Sequence, residues 1–71
     1  MINVRFDLVP RISNPNHDYE MARYKLLETP QIGEIINIKG DPFVVFSRAW
    51  AIDEKTEELW CYIKLVRPHN D

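Results

Sequence analysis

The sequence predicts a mainly β domain: a small, partly open antiparallel barrel of four or five strands, with one short helix allowed within residues 17–28. Three observations predict it. Apolar and polar residues alternate in three separate stretches, which is the two-residue period of half-buried strands. Turn-forming residues separate two of those stretches from the run between them, first Gly40-Asp41-Pro42 and then Asp53-Glu54-Lys55-Thr56-Glu57. The longest β-favouring run, Phe43 to Ile52, changes parity midway, as a strand does when an extra residue bends it.

Ile2, Val4, Phe6 and Leu8 share one face of the first strand, with Asn3, Arg5 and Asp7 on the other, and Pro10 ends it. Residues 11–16, with Ser13, Asn14 and Pro15, favour turns and are expected to form a loop. His17 to Thr29 fits two structures. Glu20, Met21, Ala22, Arg23, Lys25, Leu26 and Leu27 are good helix formers behind a capping Asn16 or Asp18, whereas Ala22, Tyr24 and Leu26 also fit a strand.

Pro30 restarts an extended chain in which Glu34, Ile36 and Ile38 alternate with Ile35, Asn37 and Lys39 up to the Gly40 turn; Gly33 marks a bend or a close backbone approach. In the next strand Phe43 and Val45 are odd, while Phe46, Trp50 and Ile52 are even. One extra residue near Phe46 to Ser47 reconciles them. Leu59, Cys61, Ile63 and Leu65 then form an unbroken apolar face, with Trp60, Tyr62 and Lys64 opposite and Pro68 as the stop.

Seventy-one residues allow one domain, spanning 1–71, with a thin core. A hydrophobic fraction of 45% and a charged fraction of 28% are those of a chain that folds. Nine Lys and Arg against eleven Asp and Glu leave a net charge of −2, which supplies no general attraction for a phosphate backbone. Cys61 is alone, so no internal disulfide forms. With no signal peptide and no apolar run near the roughly 20 residues of a membrane span, a cytoplasmic protein is expected.

The segment Pro30-x-Ile32-Gly33-Glu34-x-Ile36-x-Ile38-x-Gly40-x-x-Phe43-x-Val45 resembles the core pattern of small uncharacterised bacterial and phage proteins, in which proline, Val-or-Ile-Gly-Glu, an alternating strand, glycine and an aromatic-x-valine strand follow in order. With its flanks, the resemblance covers about half the chain. The resemblance implies an SH3-like β-barrel and carries no activity with it. The long 10–29 segment departs from the shortest such proteins.

Residues that could carry chemistry are few. Cys61 sits on the apolar face of the last strand and reads as a small buried hydrophobe, not a nucleophile. His17 and His69 share no metal-ligand spacing with Cys61 or with each other. Asp53, Glu54, Glu57 and Glu58 lack the glycine of a calcium loop and read as a solvated turn. Gly33 and Gly40 do not make a phosphate-cradling loop. No catalytic residue, metal site or cofactor is expected.

The one constellation that points to binding is Trp50, Trp60 and Tyr62 with Arg48 and Lys64. Its meaning depends on register. If Trp50 faces Trp60 and Arg48 faces Tyr62, the set forms one aromatic and basic patch. If Trp50 faces Cys61, it joins the apolar face, and Trp60 and Tyr62 remain opposite, beside Ser47, Ala49 and Ala51. The second register keeps one face nearly continuous and is the one expected. Trp60 and Tyr62 then need a cover, from the 17–28 segment, a second copy or a partner.

The functional expectation is a non-enzymatic binding or accessory protein that engages a protein partner or itself through Arg48, Trp50, Trp60, Tyr62 and Lys64. The alternative is a nucleic-acid-binding module using Arg48 and Lys64, with Lys39 and Arg67, beside the aromatics. An enzyme is least favoured, since so small a barrel leaves little room for a closed pocket with convergent titratable groups.

Overall fold

In a computed structural model, which describes residues 1–9 and 19–68, the alternating stretches become five strands: β1 (Ile2–Leu8), β2 (Tyr19–Leu26), β3 (Ile35–Ile38), β4 (Asp41–Ile52) and β5 (Leu59–Val66). They form one sheet in the order β2-β1-β5-β4-β3, curled into a half-barrel. The pairs β1–β2, β4–β5 and β3–β4 are antiparallel, as expected. The pair β1–β5 is parallel, which makes the sheet mixed. The expected stop at Pro10, the loop over 11–16, His17 and His69 lie outside the described residues.

The helix allowed within 17–28 is replaced by β2 over Tyr19–Leu26. Helix propensity is a weak prior. Here it is outweighed by pairing with β1, which sets Tyr24 against Val4 and Leu26 against Ile2 and packs Leu26 and Met21 onto the core. The register slips between Phe6 and Asp7, leaving Met21 as an extra residue.

The bulge expected near Phe46 is present: Val45 faces Leu65, Ser47 faces Lys64, and Phe46 stands between them. It lets Phe43 and Val45 share the inner face with Arg48, Trp50 and Ile52 despite opposite parity. The core on that face is Val4, Phe6, Ile38, Phe43, Val45, Cys61, Ile63 and Leu65. Each large side chain buried there contributes about 1.5–3 kcal/mol relative to exposure.

Two turns differ slightly from expectation. The β3–β4 turn is Lys39-Gly40, at φ 54° and 89°, the pair of positive values that a two-residue type I′ hairpin requires, so Asp41 and Pro42 already belong to β4. The extended run from Pro30 does not become strand until Ile35. Residues 27–34 instead cross from β2, at one margin of the sheet, to β3 at the other. Gly33, at φ 95°, turns the chain so that its N–H donates to the Val45 carbonyl at 2.9 Å and the Val45 N–H donates to the Glu34 carbonyl at 2.9 Å.

Candidate interaction surface

The five residues proposed from sequence do not form one patch. Trp50 faces Cys61, Arg48 faces Ile63, and Ala49 and Ala51 face Tyr62 and Trp60. Arg48 and Trp50 therefore lie on the inner face, and Trp60, Tyr62 and Lys64 lie on the outer one.

On the outer face the parallel β1–β5 pair sets Arg5 beside Tyr62 and Asn3 beside Trp60. The Trp60 and Tyr62 rings stack at 6.3 Å with 14° between planes. The Arg5 guanidinium carbon lies 5.8 Å from the Tyr62 centroid, and that of Arg23, from β2, lies 5.7 Å from the Trp60 centroid. Both distances are in the range of cation–π attraction. Glu20 holds the two cations in place: its carboxylate bonds Arg23 and stands 3.7 Å from Arg5 Nε, which also donates to Asp7 Oδ1 at 2.8 Å.

These pairings set the local proton affinities. The hydrogen bond from Arg23 holds the Glu20 carboxyl below its ordinary range, and the bonds to Asp7 and Glu20 raise Arg5 and Arg23 respectively. The cover expected from the 17–28 segment thus takes the form of Arg23, assisted by Arg5, and both rings are half-buried. A depression of about 210 Å³ remains between Arg5, Arg23, Asp53, Trp60 and Tyr62. It is smaller than the roughly 300–1,000 Å³ of ligand pockets.

The inner face is more open. Trp50 is on the side expected from the register, yet it does not enter the core: it remains 48% exposed at the end of the half-barrel. Ile52 at 67% lies against its cross-strand partner Leu59 at 43%, and Phe46, the bulge residue, is 58% exposed. Arg48 Nη1 donates to Thr29 Oγ1 at 3.3 Å, which ties the 27–34 crossing to the sheet. The same Thr29 lies beside Cys61. Burial pushes the Cys61 thiol up, with Arg48 and the Thr29 hydroxyl pulling against it, so the thiol stays protonated and inert in neutral solution.

The acidic run 53–58 is a turn built by Asp53, whose Oδ1 accepts from the N–H of Lys55 at 2.8 Å and of Thr56 at 3.2 Å. Among the described residues no cluster of His, Cys, Asp and Glu is arranged to hold a metal ion. No helix is long and apolar enough to cross a membrane among those residues. Lys39 lies in the β3–β4 turn, and Arg67 places its guanidinium 5.6 Å from the Phe43 ring.

Sequence reasoning missed Ile52, Leu59 and Phe46 as surface residues, and Arg5 and Arg23 as the cover of Trp60 and Tyr62. Apolar residues facing the core side of a strand read as buried unless one knows how far the opposing cover reaches. No known protein family, curated protein or solved structure matches the chain.

Proposed function

We propose that the protein is a small binding module, not an enzyme, that engages a protein partner or another copy of itself through the open end of its inner face. The observation that carries this reading is the adjacency of Trp50, Ile52 and Leu59, three large apolar side chains between 43% and 67% exposed on one hairpin. Such groupings mark interaction surfaces, and a tryptophan beside an arginine is the composition of binding hot spots. Trp60 and Tyr62 serve as a secondary, cation-covered surface with Lys64. The half-barrel is of the SH3-like kind in this reading, and the Pro30–Val45 pattern supports that and a bacterial or phage origin. One free, buried thiol favours the cytoplasm.

Capture from host extract on immobilised protein tests the reading. Wild type retains a defined protein, or added copies of itself, and Trp50→Glu lowers retention by about tenfold or more. Equal retention by the two sinks it. Single-stranded DNA or RNA bound at low salt, and lost on Lys64→Glu, would replace it with the nucleic-acid alternative.

A further inference from the structure

β4 runs from Asp41 to Ile52, but β3 pairs only with Asp41–Val44, and the chain before β3 makes backbone bonds no further along β4 than Val45, with Thr29 meeting Arg48 through side chains alone. Residues 46–52 therefore have β5 on one side and, among the described residues, no strand on the other. The direction of their backbone groups follows from the turn. Asp53 N–H donates to the Glu58 carbonyl at 2.9 Å, so Asp53 turns its backbone toward β5, and by alternation so do Ala51, Ala49 and Ser47. Arg48, Trp50 and Ile52 turn their N–H and C=O groups outward.

An open edge of this kind is a template for another strand unless charges guard it. The other margin of the sheet is guarded, since β2 carries Glu20, Arg23 and Lys25 among its eight residues. The β4 edge carries Arg48 alone, among Phe46, Trp50 and Ile52.

We propose that this edge is a homodimer seam, in which β4 of a second copy adds antiparallel across a two-fold axis at Ala49. The proposal rests on the reading of the Trp50 surface as a binding site and names its occupant. Two independent features select that axis. The open window is bounded by Val45 and Asp53, and a strand pairing with its own copy fills the whole of it only when centred on residue 49. The backbone parity agrees: Ala49 faces its copy without hydrogen bonds, while Arg48 and Trp50 each exchange both backbone bonds with Trp50 and Arg48 of the other copy. The same register sets each Arg48 beside the opposite Trp50, a cation–π pair made twice. On the outer face the facing residues are Ser47, Ala49 and Ala51, small enough for the sheet to continue without a clash. A seam this short lies at the low end of interface size, so a weak, concentration-dependent dimer is expected.

In the two-fold pair the Cα atoms of residue 49 stand about 4.5 Å apart, within the roughly 4.4–6.8 Å that a disulfide spans. Ala49→Cys is therefore expected to give a covalent dimer under mild oxidation. Ser47→Cys, whose copies lie about 14 Å apart along the strands, is expected not to, and buried Cys61 does not compete. Sedimentation of the wild type is expected to show a monomer–dimer equilibrium, with the amides of Arg48, Trp50 and Ile52 gaining hydrogen-exchange protection as concentration rises. Ile52→Lys, at an exposed site that keeps the fold by circular dichroism, shifts the equilibrium toward monomer by about tenfold or more. A wild type that stays monomeric up to about 500 μM overturns the proposal, as does a dimer that cross-links at residue 47 but not at 49. If the dimer fails while a different protein is still captured through Trp50, only this occupant is wrong; if capture also fails, the reading of the surface falls with it.

Discussion

Arg23 performs two tasks with one guanidinium, capping the Trp60 ring and bonding Glu20, and this makes the cover of the outer face sensitive to acid. The Glu20 carboxyl is held below its ordinary range by that bond. A carboxylate depressed in the folded state stabilises the fold above its unfolded pKa and loses that contribution as pH falls through the folded one. The hold of β2 on Trp60 therefore weakens on the acid side of the glutamate range and is unaffected by mild base. The magnitude is small, as befits an exposed pair. Expected outcomes are a Glu20 titration by NMR that moves upward in Arg23→Ala, together with a red-shifted, more readily quenched Trp60 emission. A Glu20 titration identical in the two proteins would refute the arrangement.

At the scale of elements, the extra residue in β4 decides which side chains face the core. Deleting Phe46 restores strict alternation and turns either Phe43 and Val45 or Arg48, Trp50 and Ile52 to the wrong face. Burial of Phe43 and Val45 alone represents several kcal/mol, of the order of all the stability available to a domain this small. The expected result is loss of the cooperative urea transition, whereas Phe46→Ala, which keeps the residue count, unfolds cooperatively. The bulge was legible in sequence because a parity change within one run is a local signal. So were β1, β5 and the Asp53 turn. The strand nature of β2 was not, because Glu20, Met21, Ala22 and Lys25 suit a helix equally well and only the neighbouring β1 decides. Nor was the exposure of Trp50: register names its partner, Cys61, but what covers a face depends on how far residues 27–34 reach over it.

For the whole molecule, the decisive feature is that the sheet is joined in its middle by β1 and β5, the two strands farthest apart in the chain. Local patterns could not announce this, because a parallel pairing needs no turn between its strands. It divides the molecule into a β1–β2 half and a β3–β4–β5 half, with Val4 and Phe6 buried against Cys61 and Ile63 at the join. A fragment ending at Glu58 keeps both β1–β2 and β3–β4 yet lacks the strand that unites them. It is expected to show no cooperative thermal transition and to bind a dye for exposed apolar surface, and a fragment that melts like the intact chain would disprove the dependence on β5.

The same central pairing also imposes an order of events on synthesis. A nascent chain emerges at about 5–20 residues per second, and until Leu59–Val66 has left the ribosome the apolar faces of β1 and β4 have no shared neighbour. Folding must then wait for the last strand and close a long loop to seat it, a topology that folds in milliseconds to seconds and not in microseconds. During that wait the β5-facing edge of β4 is open along its length and the opposite edge is covered by β3 only over Asp41–Val44, so the period before β5 docks is when this chain is most exposed to pairing with the wrong strand.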